Sequence, residues 1–415
     1  MTVQVKAASM LLCLIPIALL TGPFLPDLFL SIISLIFIYS LLTENLNRYY
    51  KNPFFYSFFS FFIFLLLASI LSNDILFSLK STFFYFRFFI FSFAVWYLLE
   101  NNNKLIRQFF YALLLAYIFA ILDGYYQYFF SISIFGIESE FYNRLTLPFN
   151  ERAILGGFLA RLFPLVLALF IVCIKGNIRN YMLLALLFIL TDVLIFITGE
   201  RTALGLITIA TIGIIFLISD FRIMRITTFI ASILLIVIIS VMNPSIKERN
   251  IDNTIEQLGM NNEKKEIQIF SQNHDSYIRT AIRMFIDRPI IGQGPNIFRE
   301  LCNKDEYKVN NISCNTHPHN NYVQLLAETG IIGFIFVSSF FIFISMTLIK
   351  YLFYYHFYKN SLLNNVQICT NIALLLTLWP LLPTLNFFNN WINVIYYLSI
   401  GFFLFFRYSM PLKKD

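Results

Sequence analysis

Long apolar segments follow one another along almost the whole chain, and they restrict its fold more than any other feature. A run of about 17–25 mostly apolar residues can cross the hydrocarbon core of a bilayer as a helix, and by this criterion we expect about twelve spans. They cover residues 7–21, 24–42, 54–71, 81–99, 108–130, 152–174, 181–198, 202–219, 226–242, 322–349, 363–384 and 390–407. Because backbone groups in lipid must be hydrogen-bonded within the protein, the sequence predicts an all-α polytopic membrane protein.

The charge content agrees with this class. Only 13% of the residues are charged and 58% are hydrophobic, whereas soluble domains average about 25% charged residues. A formal net charge of +7 is compatible with nucleic-acid binding, but lysine and arginine in cytoplasmic loops of a membrane protein give the same sum. We therefore expect membrane lipids around the protein and no nucleic-acid partner.

The expected spans divide the chain into three parts. Residues 1–242 hold the first nine spans, residues 243–320 form one large and partly helical loop, and residues 321–415 hold three spans and a short tail. If the N-terminus is cytoplasmic, basic residues concentrate in the cytoplasmic loops, as the positive-inside rule requires. These residues are Lys6, Arg48, Lys51, Lys104, Arg107, Lys175, Arg179, Arg222, Arg225, Lys350, Lys359, Arg407, Lys413 and Lys414. This orientation places the large loop outside the cytoplasm and both termini inside.

Within the large loop, apolar residues at helical spacing predict a helix over residues 277–286. Pro289 and the glycines that follow it are expected to end this helix. Arg279 and Arg283 are four residues apart, so they share one face of the predicted helix.

Cys302 and Cys314 also lie in the large loop. Disulfides form and persist outside the cytoplasm, where the predicted orientation places this loop. We therefore expect a disulfide that closes a small loop just before residues 315–320, with two free thiols as the alternative.

Two of the four histidines, His317 and His319, lie where the large loop enters the tenth expected span. Pro318 disfavours helical backbone at His317, so the span is expected to begin after it. His319 and Asn320 then lie at a helix N-terminus, where the dipole favours the neutral imidazole that accepts a proton. A histidine that only caps the helix is the alternative.

A metal site is a further interpretation of the histidine pair. A zinc site needs three or four protein ligands, and the other candidates nearby do not have a recognised ligand spacing. These candidates are Cys302, Cys314, His274 and Asp275. We therefore expect neither a metal nor another cofactor.

Several arginines are expected inside apolar spans or at their ends, where arginine normally faces a protein cavity and pairs with an anion. They are Arg87, Arg152, Arg161 and Arg201. Few acids accompany them, and the phosphate or diphosphate of a lipid suits the fork of a guanidinium group. Pairing with a neighbouring acid or a lipid headgroup is the alternative for each arginine taken alone.

Three parts of the chain resemble the O-antigen ligase and polymerase superfamily of bacterial envelopes. The first runs from Arg283 to His319 and Asn320, after which nine residues precede Gly330, as in the ligase pattern. Phe334 stands where that pattern has leucine.

The second part is residues 198–203, which look like the family's arginine motif at the start of a span. Residues 148–157 are similar to a further family segment. The resemblance covers most of residues 140–345.

The resemblance implies a glycosyltransferase in the bacterial inner membrane, with its large loop in the periplasm. Its donor would be a glycan on undecaprenyl diphosphate, and its acceptor a sugar hydroxyl of lipid A-core. His319 would be the base, and the diphosphate would be bound by Arg201 together with Arg279 or Arg283. Direct displacement would invert the anomeric configuration without a metal. The supporting residues implied are His317, Asn320, Arg152 and Glu328.

Two other functions compete with the ligase. A polymerase of the same superfamily would pass the growing glycan to another lipid-linked unit, but the segment from His319 to Gly330 favours the ligase. A transporter of lipid-linked glycans would also need arginines in an anion-binding cavity, yet its usual internal repeats are not evident. A Walker loop is missing as well, which argues against an ATP-driven pump.

Overall fold

The computed structural model describes residues 2–138, 144–148, 153–252, 255, 271–359 and 361–410. All regular secondary structure in these residues is helical. Nine helical segments of the described chain are long and apolar enough to cross a membrane, and three shorter apolar helices accompany them. The prediction of an all-α polytopic membrane protein is confirmed.

The helices follow the expected spans in chain order. The first are α1 (Val3–Ala18), α2 (Phe24–Thr43), α3 (Asn47–Tyr50), α4 (Pro53–Ile70), α5 (Ile75–Thr82), α6 (Phe86–Asn101) and α7 (Leu105–Phe130). Next come α8 (Leu155–Cys173), α9 (Ile178–Ile197), α10 (Arg201–Leu217), α11 (Ser219–Met242) and α12 (Pro244–Lys247). After a π-helical segment, Glu248–Asp252, the chain forms α13 (Gln272–Asp287), α14 (Phe298–Leu301), α15 (Asn321–Tyr358), α16 (Asn365–Thr377) and α17 (Asn390–Tyr408). Helices α6 and α8 form the centre of the bundle, where α17 packs on α6 and α16 packs on α8.

The eleventh expected span, residues 363–384, is wrong at its C-terminal end. Helix α16 stops at Thr377, and residues 378–389 have no regular secondary structure. Pro380 and Pro383 explain the difference, because proline has no amide hydrogen to donate and its ring clashes with the preceding helical turn. The fourth expected span is also interrupted, since residues 83–85 form a turn between α5 and α6.

The predicted helix of the large loop is confirmed as α13, and its apolar face builds a small core against α15. A hydroxyl cap begins α13, because the Ser271 side chain accepts a hydrogen bond from the amide of His274 at 3.4 Å. The buried members of this core are Tyr277, Ala281, Met284, Ile297, Phe298, Leu301, Cys302, Tyr307 and Ala327. The loop therefore has a defined position on the membrane helices.

A kink in α15 joins this loop to the bundle. Gly330 has φ 62° and ψ −162°, so the helical hydrogen bond from Ile331 to Ala327 is broken. The Ile331 amide instead donates to the Pro289 carbonyl at 2.8 Å, and the Gln293 amide donates to the Ala327 carbonyl at 2.9 Å. Both groups freed by the kink are thus paired again.

Only glycine fits at Gly330 and at Gly292, the facing position in the loop turn. A Cβ at Gly330 would lie 2.3 Å from the Ile290 carbonyl oxygen, and one at Gly292 would lie 2.4 Å from the Glu328 backbone. Both glycines also have positive φ. These two positions allow the backbone of the loop to approach the backbone of α15.

Candidate active site

A cavity of about 500 Å³ lies where the large loop meets the N-terminal ends of α8 and α10 and the irregular segment 378–389. Its lining contains basic, acidic and apolar residues from these four elements, together with Arg144 and with Trp391 of α17. The lining residues are Arg144, Ala153, Ile154, Gly157, Arg161, Gly199, Glu200, Arg201, Thr202, Ala203, Ser271, His274, His319, Leu381, Leu382, Pro383, Thr384, Leu385 and Trp391. His319 and Arg201, which the resemblance implies as base and diphosphate ligand, therefore share one cavity.

The segment before α15 is held by the irregular segment 378–389. The His319 backbone has φ 57°, a conformation that is energetically unfavourable for every residue except glycine. Its carbonyl accepts a hydrogen bond from the Thr384 amide at 2.8 Å. Asn320 caps the helix by accepting from the amide of Tyr322 at 3.0 Å, and its side chain donates to the Pro380 carbonyl at 2.8 Å. The expectation that the helix begins after Pro318 is confirmed.

Three of the chain's four histidines meet beside the cavity. The ring centre of His319 lies 4.1 Å from that of His317 and 5.1 Å from that of His274. Burial, reinforced by the other two imidazoles, lowers the pKa of His319 to about 3. Burial and the nearby charge of Arg201 also lower the pKa of His274. The imidazoles of His319 and His274 are therefore neutral at pH 7 and able to accept a proton.

His317 supports the site without facing the cavity. Its side chain is buried, and its Nε2 lies 3.1 Å from the Thr384 carbonyl oxygen. Because a carbonyl only accepts, Nε2 carries the proton, and Nδ1 accepts from the Thr316 hydroxyl at 3.0 Å. Burial lowers the pKa of His317 to about 4. This neutral residue ties the histidine segment to Thr384, consistent with the supporting role that the resemblance implies.

Arginine side chains surround the other side of the cavity. Arg144, Arg161 and Arg201 line it, and Arg161 is only 7% exposed. Arg249 contacts the same wall, since its Nε donates to the Gly199 carbonyl at 3.1 Å. Burial and the positive charges of Arg144 and Arg201 lower the pKa of Arg249. A wall with so much positive charge is suited to a multivalent anion.

Glu200 is the one carboxylate that lines the cavity in the described part of the chain. Its two oxygens accept the amides of Gly156 at 2.7 Å and Gly157 at 3.0 Å, at the start of α8. The Gly157 carbonyl in turn accepts from Arg161 at 3.2 Å. Burial raises the pKa of Glu200 to about 7, although these hydrogen bonds and the nearby Arg161 and Arg144 oppose the shift. The carboxylate thus joins α8 to the residue before Arg201.

The structure does not bring Arg279 or Arg283, the loop arginines expected to bind phosphate, to the cavity. Neither residue lines the cavity; Arg279 pairs with Asp275 at 2.7 Å, and Arg283 donates to the Lys308 carbonyl at 2.5 Å. A helix turns about 100° per residue, so Arg279 lies about 140° and Arg283 about 180° around the helix from His274. The helix turns His274 towards the cavity and both arginines away from it.

Other predicted residues have separate positions. Arg152 lies outside the described residues. Arg87 is paired with Asp27 at 2.9 Å, which is the alternative of internal pairing. Glu328 is fully buried and accepts the Phe298 amide at 3.1 Å, so it joins α15 to the large loop away from the cavity.

Cys302 and Cys314 form a disulfide, with Cα atoms 5.0 Å apart. It closes the loop that immediately precedes His317. No group of three or more histidine, cysteine or acidic side chains able to hold a metal ion occurs in the described residues.

Sequence reasoning missed part of this site. His274 was a candidate only as a metal ligand, and neither Arg144 nor Arg249 was among the arginines expected in the site. His274 and Arg249 lie in a polar loop where basic residues are common, so no local pattern distinguished them. Arg161 was identified because an arginine inside an apolar run is unusual.

The fold and the site together define a polytopic, all-α membrane protein with an arginine-rich cavity beside a neutral histidine. The family model described as O-antigen ligase matches residues 183–338, so this part of the chain is similar to the O-antigen ligase superfamily. The matched segment includes Arg201, α13 and His319, and it supports a glycosyltransferase of the ligase or polymerase type. No curated protein matches the chain.

Proposed function

We propose that this protein is an O-antigen ligase that transfers a glycan from undecaprenyl diphosphate to a sugar hydroxyl of lipid A-core. The observation that carries the proposal is that His319 and Arg201 line the same cavity. A proton acceptor on one side and cationic side chains on the other are what this displacement requires. From the distribution of basic loops, we place the cavity at the periplasmic side of the inner membrane and both termini in the cytoplasm.

The arginines would act on the leaving group. When the bond between the anomeric carbon and the phosphate oxygen breaks, negative charge builds on the lipid diphosphate. Cations that are already in place stabilise that charge at little cost in reorganisation. We assign this role to Arg201 with Arg161 and Arg144, in place of the loop arginines that the sequence suggested. The chemistry in this form requires no metal.

His319 would activate the acceptor. Its neutral imidazole accepts the proton of the acceptor hydroxyl as the oxygen attacks the anomeric carbon. The oxygen approaches from the side opposite to the diphosphate, so the configuration at the anomeric carbon inverts. The ring of His319 makes no hydrogen bond with the described residues, and its nitrogens are therefore not engaged by a protein partner there.

Reconstitution tests the reaction and distinguishes the ligase from the polymerase. The protein in lipid nanodiscs is given an undecaprenyl-diphosphate glycan with either lipid A-core or a second lipid-linked glycan as acceptor. Transfer to lipid A-core supports the ligase, and lengthening of the lipid-linked chain instead supports the polymerase. Absence of both products rejects the proposal.

A pair of alanine variants tests whether His319 is the general base. His319→Ala should lower turnover on the order of 10²–10⁴-fold, the usual contribution of a positioned base. His356→Ala is the matched control, because His356 is exposed near the far end of α15, and it should retain wild-type turnover. Full turnover by the His319→Ala protein would show that another group is the base.

A further inference from the structure

His274 is a second histidine in the cavity wall. It has no role in the activation of the acceptor hydroxyl by His319. It lies in the first turn of α13, directly after the cap at Ser271, and it lines the cavity together with His319. The described residues include no hydrogen-bond partner for its ring; its ring contacts are with Tyr277 and His319. A half-buried histidine in this position is available for proton transfer.

The distance between the two rings suits the passage of a proton. Two imidazole nitrogens joined by a hydrogen bond are about 3 Å apart, which places the ring centres roughly 5 Å apart. The ring centres of His274 and His319 are separated by 5.1 Å. A small rotation of either side chain, or one intervening water, therefore connects their nitrogens.

His317 is closer to His319, but it faces away from the cavity in which the diphosphate would lie. Its Nε2 proton is donated to the Thr384 carbonyl, and its Nδ1 already accepts from Thr316. His317 does not line the cavity, so a proton taken up by its imidazole would not be delivered to a phosphate oxygen there. The proton that His319 accepts therefore has one suitable histidine to go to, which is His274.

We propose that His274 relays the proton from His319 to the departing diphosphate. This inference rests on the proposed function. In the complete step, the acceptor O–H bond breaks and its proton passes to His319, then to His274, and finally to a phosphate oxygen. The acceptor oxygen forms the new bond to the anomeric carbon, and the electron pair of the broken carbon–oxygen bond stays on the diphosphate. No oxidant, reductant or further reactant is needed.

The charges around His274 give this transfer its direction. Before the reaction, the positive charge of Arg201 disfavours a second cation at His274. The negative charge that develops on the diphosphate offsets Arg201 and makes His274 a better proton acceptor as the leaving group departs. Asp275, also on α13, is already paired with Arg279 on the outer face. Among the described residues, His317, His319 and Tyr277 are the other titratable side chains close to His274.

Kinetics of two variants in the full-length protein test the relay. His274→Gln should lower kcat about 10–100-fold and leave KM for the donor near the wild-type value, because general acid–base contributions appear in turnover. His274→Ala should show a similar loss, which added imidazole partly restores. An increase in donor KM with unchanged kcat would instead make His274 a binding residue, and a loss that imidazole does not restore would make it a packing residue. Either result overturns the relay.

A second measurement does not depend on turnover, so it separates failure of the relay from failure of the proposed reaction. The chain has only four histidines, so selective ¹⁵N labelling resolves each imidazole, and His274→Gln assigns one resonance. Inorganic diphosphate should raise the pKa of His274 in wild-type protein, and less so in Arg201→Gln protein. If diphosphate binds without shifting this titration, the relay is wrong even in a protein that transfers glycan. If wild-type protein transfers no glycan, the proposed function is wrong whatever the titration shows.

Discussion

The kink at Gly330 allows a quantitative test of how the large loop is held. Alanine at this position would have to adopt φ 62° and ψ −162°, a region that costs a residue with a side chain about 1–3 kcal/mol. Its Cβ would also lie 2.3 Å from the Ile290 carbonyl oxygen, so the loop backbone would have to move. The movement would break the two hydrogen bonds that replace the helical bond, at about 0.5–1.5 kcal/mol each. Gly330→Ala should therefore weaken loop docking by about 2–6 kcal/mol.

Hydrogen–deuterium exchange in nanodiscs measures this effect directly. Amides of α13 and of the turn at Gly292 should exchange much faster in the variant, while those of α6 should keep their protection. Gly213→Ala in α10 is the control, because its added Cβ would meet no backbone atom and its nearest contact would be the Cδ1 methyl of Ile372, at 3.0 Å. If Gly330→Ala leaves exchange in α13 unchanged, the kink does not determine where the loop docks.

Three further predictions concern charged and titratable side chains. Arg201→Gln should lower kcat on the order of 10²–10³-fold. Arg283→Gln should remain within about twofold of wild-type kcat, because the Arg283 guanidinium is exposed. Equal losses would contradict the assignment of diphosphate binding to Arg201 instead of Arg283. Burial lowers the pKa of His317 to about 4 in the folded protein, whereas an unperturbed histidine has a pKa of about 6.5. As pH falls from about 6.5 towards 4, the unfolded state binds a proton that the folded state does not, so the loop should lose stability. His317→Gln should weaken this acid dependence in thermal melts, and an unchanged slope would refute the cause. Arg225, expected in a cytoplasmic loop, is instead buried within α11, where its guanidinium pairs with the Asp192 carboxylate at 2.8 Å. Asp192→Asn should destabilise the bundle by about 3–5 kcal/mol, because it leaves this buried charge without its counterion. A thermal shift in detergent checks this, and Asp192→Leu with Arg225→Met should recover most of the loss.

Much of the fold was predictable because its determinants are local. Apolar runs of sufficient length must become helices in a bilayer, and their order along the chain needs no tertiary information. The helical spacing in the loop likewise predicted α13. Pro380 and Pro383 were visible in the sequence. The average hydropathy of residues 363–384 does not register them, because it does not count missing amide hydrogens.

The site was less predictable because it depends on which way each helix faces. The spacing of Arg279 and Arg283 showed that they share a face of α13, but not whether that face points towards Arg201. Packing of the opposite face against α15 decided this and turned His274 inward. Arg144 reaches the cavity only through tertiary packing, which no pattern within its own segment records.

The structure separates two tasks within the segment that precedes α15. The irregular segment 378–389 leaves carbonyl groups without helical partners, and unpaired backbone is costly in or near a membrane. Side chains of His317, Asn320 and Tyr322 donate to three of these carbonyls. His319 contributes only its backbone carbonyl to this arrangement, so its imidazole can face the cavity. Changes at His317 or Asn320 should therefore affect stability and activity together. A change to the His319 ring should remove activity from a protein that still folds, and a large loss of stability in His319→Gln would contradict this division.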